Sequence, residues 1–73
     1  MSEFPQLSGG ELVRALETLG FSVRRQQGSH IVMRRADPFA QTVVPNHKQI
    51  DRGTLRAILR QTNLTLDELK GVI

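Results

Sequence analysis

One local pattern occurs three times in this chain: an apolar residue, a capping residue, two spacers, an N3 residue and a second apolar residue. It reads Leu7-Ser8-Gly9-Gly10-Glu11-Leu12, Ile50-Asp51-Arg52-Gly53-Thr54-Leu55 and Leu64-Thr65-Leu66-Asp67-Glu68-Leu69. In each, the Ser, Asp or Thr side chain accepts a hydrogen bond from an otherwise orphaned N–H of a first helical turn, and the flanking apolar pair staples across it. The first and third copies also carry the glutamate of a reciprocal capping box. Three helix starts are therefore set by local chemistry, and whatever lies between the first two must supply the rest of the fold.

The first helix is expected to bury Leu12, Val13, Leu16 and Leu19 at helical spacing and to stop at Gly20, which suits a left-handed C-terminal cap. The second buries Leu55, Ile58 and Leu59 and sets Arg52, Arg56 and Arg60 in a row at spacing four. The third is short, about Thr65 to Lys70. Between the first two helices, Phe21 to Gln26, His30 to Arg35 and Gln41 to Val44 ahead of Pro45 read as strands. The expected fold class is α+β: helix, three-stranded antiparallel sheet, helix, with a short extra C-terminal helix, all in one domain over residues 1–73.

The register of the first hairpin follows from burial. A two-residue turn at Gly28-Ser29 would pair Val23 with Arg34 and mix apolar and charged residues on both faces. A three-residue turn pairs Gln26 with His30, Arg24 with Val32 and Val23 with Met33, which segregates them. The expected buried face is then Phe21, Val23, Ile31 and Met33, with Ser22, Arg24, Gln26, His30, Val32 and Arg34 opposite.

With 73 residues and no Trp or Tyr the core is thin, which makes a partner chain or weak self-association an expectation. The absence of cysteine excludes disulfides and thiolate zinc sites. No apolar run approaches the roughly 20 residues that span a bilayer, and Met1-Ser2-Glu3-Phe4-Pro5 lacks a basic region followed by an apolar stretch, so a soluble cytoplasmic protein with no membrane association is expected. The net charge of +3 is unevenly spread. Phe21 to Arg60 holds eight basic residues, seven of them arginine, against Asp37 and Asp51, while the flanks are acidic. A basic middle of this kind suits a polyanion, since arginine forks onto phosphate.

Within that middle stands His30, directly after the turn dipeptide Gly28-Ser29. Histidine exchanges a proton near neutral pH, and arginines neutralise phosphate and transition-state charge. RNA brings its own nucleophile, so an enzyme needs a base for the 2′-hydroxyl, positive groups for the phosphorane-like transition state and an acid for the leaving oxygen. His30 fits base or acid, Arg24 and Arg34 the charge stabilisers, and Gln26 an orienting group. His47 reads either as a second proton-transfer group or as a loop histidine near the helix start. Lys48, Arg52, Arg56 and Arg60 read as phosphate or partner contacts, or as a solvated helix face. A metal site from His30, His47 and Asp37 lacks a recognisable ligand spacing. A nucleophilic enzyme is disfavoured because Ser29 and His30 are strand neighbours that point apart. Base stacking is poorly provided for, with the phenylalanines mostly claimed by the core.

The succession Gly28-Ser29-His30, Thr42-Val43-Val44-Pro45-Asn46-His47 and Gly53-Thr54-Leu55-Arg56-Ala57-Ile58-Leu59-Arg60-Gln61, followed by Asn63-Leu64, resembles the HicA toxin family, also called YcfA-like. The segment Glu11 to Phe21 is similar to that family's first helix and Gly-Phe entry to strand one. The likeness spans about residues 8 to 66. It implies a fold like a double-stranded RNA-binding domain. It further implies the toxin of a type II toxin–antitoxin system, a metal-independent endoribonuclease that cleaves mRNA with one catalytic histidine, here His30, needs no cofactor, and is neutralised by a HicB-type antitoxin. The chain departs from the family in its tail, Asp67 to Ile73, and in Ile31 after the histidine. The alternative is a non-catalytic RNA-binding module on the same fold, which the basic middle serves equally well.

Overall fold

The computed structural model describes residues 4–73. Met1, Ser2 and Glu3, part of the opening segment considered above for a leader, lie outside the described residues. Each capping pattern begins a helix. In α1 (Gly9–Thr18) the Ser8 hydroxyl accepts from the Glu11 N–H at 3.1 Å, while the Glu11 carboxylate accepts from the Ser8 N–H at 2.8 Å. In α3 (Leu66–Lys70) Thr65 and Glu68 repeat that box. In α2 (Arg52–Thr62) Asp51 accepts from the Thr54 hydroxyl at 2.7 Å and from its N–H at 3.3 Å.

Helix α1 ends as expected. Gly20 takes φ +99°, the Phe21 N–H donates to the Leu16 carbonyl, and the Gly20 N–H donates to that of Glu17. This is the paired closure that a left-handed residue permits after a last turn. Asn63, at φ 59°, closes α2 in the same way through Leu64 to Leu59 and Asn63 to Arg60.

The sheet is antiparallel in the order β1 (Ser22–Gln27), β2 (His30–Ala36), β3 (Phe39–Pro45). Strand β3 begins two residues earlier than its sequence pattern indicates. The turn at Asp37-Pro38 closes β2 onto β3 so tightly that Phe39 pairs with Ala36 and Ala40 with Arg35. Ile31, Met33, Ala40, Thr42 and Val44 lie on one face and are buried, because α1 and α2 both pack there. No element among the described residues covers the other face. Fully burying a Leu- or Met-sized side chain stabilises by about 1.5–3 kcal/mol, and Leu12, Leu16, Met33, Leu55, Ile58 and Leu69 are all buried completely or nearly so. Leu69 ties α3 into the core, so the tail is a structural part of the domain.

The hairpin corrects the expected register. The turn is the two-residue one: Gln27 pairs with His30, and Gly28, at the first turn position, takes φ 57°. Yet Val23 still pairs with Met33. Both hold because the ladder slips between Val23 and Arg25, leaving Arg24 as an extra residue with no cross-strand partner. A β-bulge adds one residue to one strand, so it reconciles the tight turn at the tip with burial at the base. A second correction concerns Val23, which shares the covered face yet is 43% exposed, on β1 at the edge of the sheet.

Candidate functional site

Facing residues in an antiparallel pair project to the same side of a sheet. His30, Val32 and Arg34 alternate with the buried Ile31 and Met33, so His30 is on the uncovered face, and its side chain is exposed. Across from it stand Gln27 on β1 and Pro45 on β3, and across from Val32 stands Arg25. The bulge therefore changes which basic and amide residues accompany the histidine. Arg25 and Gln27 share its face. Arg24 is the bulged residue, and Gln26 lies opposite Ile31 with its amide donating to the Gly28 carbonyl at 3.1 Å. Arg25 is a diagonal neighbour of His30, a separation that a long side chain spans.

Arg34 also lies on the open face, but four residues along β2 from His30, about 13 Å at strand rise. Its Nε donates to the Gln41 side-chain oxygen at 2.8 Å, and its guanidinium lies 5.9 Å from the centre of the Phe39 ring. The adjoining Arg35 points to the helix side, where it stacks on Phe21 at 4.7 Å and donates to the carbonyls of Pro38 and Thr62. Phe39 is 65% exposed, an exception to the expectation that the phenylalanines are mostly claimed by the core.

The end of the sheet that carries His30 is built from three segments laced by backbone hydrogen bonds. The Asn46 N–H donates to the Ser29 carbonyl, 2.6 Å away, and the Gly9 N–H donates to the His47 carbonyl at 2.8 Å. The first turn of α1 is thereby pressed against the end of β3. A Cβ on Gly9 would collide with the Pro45 carbonyl oxygen and lie 2.7 Å from the Asn46 Cα, all backbone that cannot swing away. Gly9 is thus a positioning residue that sequence reasoning passed over, although the Gly9-Gly10 doublet inside a helical first turn was its signal. His47 and Lys48 are exposed in the loop that follows, and the Ile50 N–H donates to the Leu7 carbonyl at 2.8 Å, which brings the start of α2 and Arg52 to the same end. From there α2 runs back along the covered side. Arg56 and Arg60 recede from His30, and Arg56 lies 5.5 Å from the Phe4 ring. The expected arginine row is exposed but occupies a different surface from the open face.

Among the described residues no three His, Asp or Glu side chains are grouped as metal ligands, and no helix is long and apolar enough to cross a membrane. The sheet end, with its exposed histidine between a glycine turn and a Pro-Asn-His loop, joins the motifs that the sequence spaces across nearly its whole length. No curated protein sequence matches the chain. The family model described as HicA toxin of bacterial toxin-antitoxin matches residues 9–64, from the first residue of α1 to the residue after the left-handed end of α2, and the chain belongs to the HicA toxin family.

Proposed function

We propose that this toxin is a metal-independent endoribonuclease acting on mRNA, with His30 as its catalytic residue. The observation that carries the reading is the placement of His30: exposed, on the one face the helices leave bare, with Arg25 and Gln27 on the neighbouring strand and Lys48 and Arg52 at the same end.

The chemistry needs little else. A base removes the 2′-hydroxyl proton, the freed oxygen bonds to the adjacent phosphorus, the bond to the 5′-oxygen breaks, and an acid protonates that leaving oxygen. The products are a 2′,3′-cyclic phosphate and a 5′-hydroxyl. His30 performs one of the two proton transfers, and His47, whose backbone is held by Gly9, supports the other. Arg25 offsets charge on the phosphorane-like transition state and Gln27 orients the phosphate. Positioned acid–base catalysis supplies about 10²- to 10⁴-fold in rate, in keeping with an enzyme of one principal group. A toxin of a toxin–antitoxin pair has an antitoxin partner. In this reading it is of HicB type, acts in the cytoplasm, and offers acidic residues to Arg52, Arg56 and Arg60.

Incubation of the purified protein with mRNA in excess chelator tests the proposal. Fragments ending in 2′,3′-cyclic phosphate are expected from the wild type and none from His30→Ala, with RNA affinity little changed. Cleavage at the wild-type rate in His30→Ala overturns the assignment, and intact RNA with retained binding by the wild type identifies a non-catalytic RNA-binding module.

A further inference from the structure

The uncovered face of the sheet has two ends, and the proposed chemistry occupies one. At the other, the Phe39 ring projects 65% exposed from the start of β3, opposite only the small Ala36. Arg34 braces it, with the guanidinium 5.9 Å from the ring centre and its Nε fixed by Gln41 at 2.8 Å. Among the described residues this leaves the terminal nitrogens of Arg34 for another acceptor. No Asp or Glu stands on this face at any paired position of the three strands, and the nearest acid in sequence, Asp37, lies in the turn beyond them.

We propose that Phe39 and Arg34 form a base-stacking subsite for single-stranded RNA, which crosses the open face from His30 to Phe39. The inference rests on the RNA-cleaving reading and adds to it a second point of substrate contact. Proteins that hold single strands without reading sequence pair an aromatic ring, on which a base stacks, with cationic groups that follow the backbone. This face provides that pair. RNA is the favoured occupant because the face is free of carboxylates, is continuous with His30, and belongs to a chain of net charge +3. The half-buried Val32 and the exposed Val43 between the two ends give the sugar and base edges an apolar bed.

The test uses His30→Ala as the background, so that RNA is bound and not cut. Fluorescence anisotropy with a labelled single-stranded oligonucleotide is expected to show about a five- to hundredfold loss of affinity on adding Phe39→Ala, recovery with Phe39→Trp, and a smaller loss with Arg34→Ala. Binding of a duplex of the same sequence should not change. With His30 intact, Phe39→Ala should lower kcat/KM on a long substrate but leave a dinucleotide, too short to reach the ring, cleaved at the wild-type rate. Equal RNA affinity with and without Phe39 overturns the proposal, as does a loss that is the same on the dinucleotide, or no measurable binding by the background protein. Unchanged RNA affinity with weakened antitoxin binding also overturns it and assigns the ring to a protein interface. Should His30→Ala still cleave at the wild-type rate, the catalytic reading falls, while the affinity contrast at Phe39 still decides this one.

Discussion

The two faces of the three-stranded sheet are built from alternating residues of the same strands, and they do opposite work. Ile31, Met33 and Arg35 look toward the helices, whereas His30, Val32 and Arg34 look away. Arg34 and Arg35 make the contrast sharpest. Arg35 is spent on Phe21 and on the carbonyls of Pro38 and Thr62, so its charge fastens the far end of the sheet to the end of α2. The side chain of Arg34, one peptide away, bonds to Gln41 and lies against the ring of Phe39, both exposed. Residue type therefore says little about role on this sheet; the side on which the backbone presents each residue decides it.

The largest effects should come from one residue on each side, the exposed His30 and the buried Met33. His30→Ala is expected to lower the cleavage rate by about 10²- to 10⁴-fold while the thermal midpoint stays close to wild type. Met33→Ala is expected to destabilise the fold by about 2–5 kcal/mol, read by urea unfolding, and to lose activity only as folded protein is lost. If His30→Ala unfolded the domain instead, the division between the faces would be broken.

Gly9→Ala should come next, costing about 1–3 kcal/mol for overpacking against backbone. Because the Gly9 N–H donates to the His47 carbonyl, amide exchange at residue 9 and at Asn46 should quicken beyond what the stability loss explains. A smaller effect separates the adjacent arginines. Arg35→Ala should cost about 1 kcal/mol, whereas Arg34→Ala should stay within about 0.5 kcal/mol of wild type, both measured by thermal melts.

The smallest expected effect is one of pH. The Thr54 hydroxyl foremost, and then the Thr54 N–H, hold the Asp51 carboxyl below its ordinary value of 3.8. A carboxylate whose pKa is depressed by folding stabilises fully above the unfolded-state value and loses that contribution as pH falls through the lower folded value. The difference in thermal midpoint between wild type and Asp51→Ala should therefore be constant near neutrality and shrink on acidification below about pH 4. A difference that persists at low pH would show that the cap works without its charge.

Much of this was legible in the sequence because much of it is local. The three caps, the left-handed Gly20 and the apolar face of α2 depend on residues within a turn of one another, and each formed where its pattern indicated; on α1, Leu12 and Leu16 are buried as expected, but Val13 and Leu19 are half-buried and Ala15 takes a core position. The family is carried by motifs whose order spans nearly the whole chain, and it too was readable there. The pairing of β1 with β2 was read half correctly. Val23 does meet Met33, but the turn is shorter than the burial argument selected, and the difference is absorbed at Arg24. A pattern of alternation assumes that every residue advances the strand by one step, and a bulge is the one device that breaks that assumption without disturbing either end. Arg25 and Gln27 were missed as companions of His30 for this reason. Phe39 was missed because Pro38 masked the start of its strand.

By itself the sequence determined where helices begin and end, which residues are apolar enough to be covered, and that a histidine follows a glycine turn in a basic stretch. Each is a matter of hydrogen bonds and hydrophobic spacing within a few residues. Only the tertiary structure decided that both helices take the same side of the sheet, that one extra residue in β1 turns Arg25 rather than Arg24 toward His30, and that Gly9 must lie flat against Pro45 and Asn46. Those outcomes come from competition between distant segments for one buried face, and that competition is settled only when the segments meet.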